Sequence, residues 1–243
     1  MFAISFEQDM NLSLLNYLSE CRRRLLYCVA VFSVIFFVLF PFSNTLYHSV
    51  ARPLLACLPN EGRFIATAVT TPLWVPVKWV LALSLMLSIP FIISQFWLFI
   101  APALYKRERS WFLILLLLSS LLFYLGMLFA YTVVFPLFFQ LSVYSTPSQV
   151  TLLPEINHYL DFVLQWLFAF GMAFEVPIVI FGLVRSGLVD IQYFIQQRRI
   201  LIVLFFILAM LLTPPDVMSQ IFLAIPLCLL FELGILLAKY LPV

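Results

Sequence analysis

The sequence predicts an all-α integral membrane protein, a single membrane domain 1–243 with six transmembrane helices, and three observations carry that prediction. Hydrophobic residues make up 65% of the 243 residues and charged residues only 10%, with a mean hydropathy of +1.12. No soluble core of this length buries so large an apolar share. Apolar stretches recur at bilayer length, and lipid demands that each satisfy its own backbone polar groups, as a helix does. Finally, Lys and Arg gather on alternate connections, the asymmetry that orients membrane helices.

Each span is bounded where an apolar run meets charge or a breaker. The first, 23–43, begins within the triplet Arg22-Arg23-Arg24, and its uncharged run follows it. Its uncharged run of about 18 residues exceeds the 7 to 15 of a signal-peptide core, so it is expected to stay as a membrane helix. The second, third and fourth spans are 76–101, 111–137 and 159–184, built on the apolar runs Val80 to Leu104, Trp111 to Val143 and Phe162 to Val184, uncharged apart from Glu175. The fifth, 199–213, and the sixth, 216–236, are divided by Thr213-Pro214-Pro215-Asp216. Apolar residues Ile200 to Leu212 give only about 20 Å of helix against a hydrocarbon core of about 30 Å, and the run from Val217 to Phe231 is also brief. The last two helices are therefore expected to form a short hairpin beside which the bilayer thins.

Six spans divide the thirteen basic residues ten against three: Arg22, Arg23, Arg24, Lys106, Arg107, Arg109, Arg185, Arg198, Arg199 and Lys239 on one side, Arg52, Arg63 and Lys78 on the other. The basic side is cytoplasmic, and so are both termini. The outer connections are then about 43–71 and 145–159. Prolines fall in or at the ends of most spans, at Pro76, Pro90, Pro136, Pro177 and Pro226, and each can bend its helix, which points to a curved, concave wall. The four cysteines and two histidines have no metal or redox spacing, and no cofactor is expected. There is no Walker motif, so a driving force has to come from the membrane potential, a proton gradient or partners.

Two acids sit among basic residues on the cytoplasmic side. Glu20 precedes Arg23 and Arg24 by three and four residues on an amphipathic start to the first helix, where a plain intrahelical ion pair is the bland reading. Glu108 lies in "APALYKRERSW" among Lys106, Arg107 and Arg109, where the bland reading is a solvated basic loop. Together they could form a two-carboxylate receptor for two guanidinium groups, which pair bidentately as ammonium groups do not. Within or beside lipid lie Gln95, Glu175, Asp216 and Gln220, with Glu232 near the headgroups. Asp216 reads as the N-cap of the sixth helix. Glu175 has apolar turns on both sides, and an intramembrane acid faces a protein interior, a wet cavity or a partner. Within the chain, Gln95 or a carbonyl freed by Pro177 would be its partner; beyond the chain, a polar residue on another subunit's helix.

At these residues the chain resembles the TatC family, the multispanning receptor subunit of the twin-arginine protein translocase. The matching segments are "LSECRRRLL", "FIAPALYKRER", "FYLGMLFAYTVVFP", "FGMAFEVP" and "LLTPPDVMSQIFLAIPLCLLFE", from about Leu18 to Glu232. The resemblance implies a glove-shaped, concave bundle in the bacterial cytoplasmic (inner) membrane. It implies binding of folded precursors whose signal peptides carry paired arginines, and assembly with TatA-type and TatB-type single-helix subunits. It assigns Glu20 and Glu108, with Arg22 and Arg24, to the signal peptide, Glu175 to the concave face, and Asp216 with Gln220 to the outer turn of the last hairpin. Tyr17 stands where the family usually has His, Cys21 where it usually has Leu, and "IATAVTTP" lacks the acid many members carry before the second helix.

The alternative is a proton-coupled small-molecule transporter, which would also use an intramembrane acid. It would need more polar groups at the depth of Glu175 and often shows internal repeats, which this chain lacks. An intramembrane hydrolase has still less support, because no HExxH, aspartate pair or Ser-His pairing occurs at matching depth. The reading is of a non-enzymatic receptor.

Overall fold

The structure, a computed structural model, describes residues 2–43, 45, 71–100, 109–144, 155–213 and 217–240. Helix α1 (Phe2–Leu39) runs for 38 residues and tightens into a 3-10 turn at Phe40–Phe42, where Pro41 opens that turn. Helix α2 (Thr71–Ile100) contains Pro76 and Pro90. Helix α3 (Arg109–Phe129) passes through a widened π turn, Ala130–Val134, into α4 (Phe135–Tyr144). The π turn lies immediately before Pro136, which has no N–H for the helical ladder, and Phe135 donates instead to the carbonyl of Ala130.

Helix α5 (Ile156–Arg185) ends at Gly187, whose φ of 70° lets its N–H turn back to the carbonyl of Val184 at 3.0 Å. Asp190 then caps the six-residue α6 (Ile191–Gln196) by accepting from the Gln192 N–H at 3.1 Å. Ile191, Phe194 and Ile195 of this helix pack on the core while Gln192, Tyr193 and Gln196 stay exposed. Helices α7 (Arg198–Leu212) and α8 (Val217–Tyr240) complete the described chain.

Among the described residues, five helices are long and apolar enough to cross a membrane: Ser19–Phe42, Leu73–Leu98, Ile114–Leu141, Ile156–Arg185 and Val217–Tyr240. Helix α7, at 15 residues, reaches only about 22 Å. The expectation that both final helices are short needs correction, because α8 has 24 residues, or about 36 Å. The apolar run stops at Glu232, but the helix does not. Arg198 of α7 pairs with Glu232 at 3.0 Å, so the acid is held in place and the helix continues through Gly234 to Tyr240. The final pair joins one short helix to one of full length.

Helix α5 is the centre of the packing, with α3 on one flank, α8 on the other and α2 also against it; α1 rests on α2, and α7 on α8. Trp166 anchors the core with Phe162 and Phe138, the Phe162 ring centroid lying 4.8 Å from each of the other two. Each such pair adds about 0.5–1.5 kcal/mol beyond burial. Small residues bring backbones close, as membrane packing requires where lipid and side chains are equally apolar. A methyl at Gly126 would stand 2.5 Å from the Phe170 carbonyl oxygen, and one at Gly234 2.9 Å from the Pro177 Cα.

Polar ties fix the helix pairs at different depths. Pro90 cannot donate to the carbonyl of Met86 four residues earlier, and the Tyr124 hydroxyl of α3 donates to that carbonyl at 3.2 Å. Near the start of α2, Lys78 pairs with Asp161 of α5 and donates to Asn157 Oδ1 at 3.4 Å. Helix α1 has the opposite character: the most apolar part of its span buries none of its residues, and Leu25, Val29, Val34, Phe37 and Val38 are exposed for lipid.

Candidate functional site

Two polar sites emerge, one midway along α1 where its apolar stretch begins and one in the helical wall. On α1, a helix turn brings Arg24 over Glu20, and Glu20 Oε1 accepts from Arg24 Nε at 3.0 Å and from Nη2 at 2.5 Å. This is the ion pair expected at a four-residue spacing, half exposed and worth about 0.3–0.5 kcal/mol. Arg23 turns away from the acid: its Nε donates to the Tyr27 hydroxyl at 3.0 Å, and its guanidinium lies 5.6 Å from that ring's centroid. Arg22 is exposed.

Glu20, Arg23, Arg24 and Tyr27 line a recess of about 490 Å³ together with Ser19 and Gln95. Gln95 lies within the membrane-length stretch Leu73–Leu98 of α2 and shares this recess with Glu20. Glu108 and Asp216 lie outside the described residues, as does the Tyr17 side chain. Gln220 ties the last two helices together, its Nε2 donating to the Phe206 carbonyl at 3.0 Å.

In the wall, Glu175 projects from α5 two residues before Pro177. Its Oε2 accepts from the hydroxyl of Ser119 on α3, a residue that is fully buried. Its Oε1 is buried and has no hydrogen-bond partner among the described residues. Neither Gln95 nor a carbonyl freed by Pro177 meets this acid. Ser119 is the residue that inspection of the sequence missed, although "LLLLSSLL" does interrupt an otherwise apolar run with two hydroxyls. The neighbouring Ser120 spends its hydroxyl on its own helix, donating to the Leu116 carbonyl at 3.0 Å, so only one of the pair is available across the interface.

A bundle of exposed apolar helices with an acid-bearing recess and a buried, half-satisfied acid in its wall defines a multispanning membrane protein. Comparison with known proteins names the kind. Residues 16–226 match the model of the family described as Sec-independent protein translocase protein (TatC), and the chain belongs to that family. It is 45% identical to the Sec-independent protein translocase protein TatC of Haemophilus influenzae over 96% of this chain and 91% of that one. It is also 45% identical to the Escherichia coli protein of the same name, over 93% and 88% respectively. Its fold is similar to a crystal structure of the twin arginine translocase receptor TatC, with a TM-score of 0.83 and 38% identity over 92% of this chain and 98% of that one.

Proposed function

We propose that this chain is the receptor subunit of a twin-arginine translocation system, binding the signal peptides of folded precursors at its cytoplasmic face. The observation that carries the reading is the Glu20 carboxylate in its recess. It already takes a guanidinium through two nitrogens, the geometry that paired arginines of a signal peptide would exploit. Glu108, on the connection between α2 and α3, supplies the second carboxylate. Arg24 orients Glu20 through its two hydrogen bonds, Arg22 adds positive charge on the same helix turn, and Gln95 contributes a polar edge. The apolar segment of the signal lies along exposed helix surface.

The full architecture in this reading has six crossings, counting the short α7, arranged as a glove-shaped concave bundle in the bacterial cytoplasmic membrane. Single-helix subunits of the TatA and TatB kind assemble on it, and the proton motive force drives transport. In the assembled translocase Glu175 bonds a polar side chain of such a helix. Asp216 and Gln220 shape the outer turn of the last hairpin.

The test is crosslinking of a twin-arginine precursor to the full chain in membranes. Glu20→Ala and Glu108→Ala each remove a charge-assisted pair worth about 1.5–3 kcal/mol, so affinity falls by about one to two decades while the amount of inserted protein holds. Replacing both signal arginines by lysine keeps the charge but loses the fork, and binding falls comparably. Undiminished crosslinking to the double variant removes the acids from the site. Equal binding of the lysine form reduces recognition to net charge.

A further inference from the structure

The Glu175 carboxyl is not presented to a neighbour. Ser119 donates to Oε2 from a fully buried position on α3, and Oε1 is covered as well, without a partner of its own among the described residues. An acid waiting for a polar group on another helix would be expected to show that group an open oxygen. This acid is turned into the α3–α5 seam. The seam leaves little room for adjustment, since Gly126 and Gly171 already bring it to contact distance, the latter under the Phe123 ring.

From this geometry we infer that Ser119 is a positioning residue that keeps the Glu175 carboxyl turned inward, so that a partner helix gains the acid only by replacing the serine hydroxyl. The exchange costs little once a polar donor is at hand, because one hydrogen bond is traded for another. It is unfavourable without one, because a carboxyl turned toward lipid loses its partner. Contact with a partner helix therefore waits on an event that brings such a donor close. The freed hydroxyl has an outlet: Ser84, Ser88 and Ser120 all donate to carbonyls on their own helices, and Ser119 can do the same. This inference rests on the proposed contact between Glu175 and a single-helix subunit.

The experiment places a photoreactive residue at Met172, which is exposed and one helical turn from Glu175, and follows crosslinking to a co-expressed TatB-type subunit in intact membranes without precursor. Ser119→Ala raises this resting crosslink by about fivefold to tenfold, the factor set by one hydrogen bond of ordinary net strength. Ser119→Thr, which keeps the hydroxyl, stays at the level of the unaltered chain, and Ser119→Cys, of similar size but a weak donor, falls between. The amount of inserted protein is measured in each case, and where Ser119→Ala lowers it, the Cys and Thr forms decide. A resting crosslink that is unchanged or lower in both the Ala and Cys forms overturns the assignment. Failure of the underlying reading looks different: Glu175→Leu would then leave precursor-stimulated crosslinking intact.

Discussion

At the level of single residues, Glu175 is the costliest feature of the chain and the most informative to change. An acid at membrane depth carries a penalty of at least about 2.5 kcal/mol on insertion scales, and one hydrogen bond from Ser119 offsets only part of it. Folding alone would be served as well by leucine, since the released serine can bond its own helix as Ser120 does. Retention of the acid is then an argument for a contact outside the chain. Glu175→Leu is expected to insert in normal amounts and to lose both partner crosslinking and export, whereas Glu175→Gln, still able to donate and accept, is expected to keep most of both. Export assays on membranes with matched protein levels make the comparison. Full activity of the leucine form would show the carboxyl to be dispensable, and a drop in inserted protein would assign it to folding.

At the level of helices, proline and its compensation explain how irregular segments survive in lipid. Pro90 orphans the Met86 carbonyl, and Tyr124 answers it from the next helix. Tyr124→Phe should lower stability by about 1–3 kcal/mol, the cost of an unsatisfied buried acceptor. In a Pro90→Ala background residue 90 regains its N–H, the ladder closes by itself, and the same tyrosine change should cost markedly less. Thermal unfolding in detergent of the four combinations measures this coupling, and equal costs in both backgrounds would count against it. The prolines, the apolar runs and the short α7 were all legible from sequence, because each is a local property. What answers each defect was not. Ser119 for Glu175, Tyr124 for Met86 and Arg198 for Glu232 lie 56, 38 and 34 residues from their partners, and no local pattern marks such pairs. For the same reason the length of α8 was misjudged, since Glu232 reads as a boundary until its partner is known. The Glu20–Arg24 pair, four residues apart, could be read directly.

For the molecule as a whole, the charged ties along the helices separate the two ends of the bundle. Lys78 and Gln95 are 17 residues apart on α2, which separates them by about 26 Å along the helix. They mark opposite ends of the bundle. Lys78 meets Asp161 and Asn157 at the start of α5, so two connections, the one entering α2 and the one entering α5, share that end. Gln95 lines one recess with Ser19, Glu20 and Arg24, so the basic triplet of α1 belongs to the other. If that richer end faces the cytoplasm, the receptor acids stand where precursors arrive before transport, and an inverted molecule could not bind them. Single cysteines in a background lacking Cys21, Cys28, Cys57 and Cys228 test this with a membrane-impermeant maleimide added from outside. Asn60 and Gln149, on connections assigned to the outer face, are expected to label. Ser110, at the start of α3, and Gln196, at the end of α6, are expected to label only after the membrane is opened. Labelling of either of the last two in sealed cells would invert the topology, and with it would go the assignment of Glu20 and Glu108 to signal recognition.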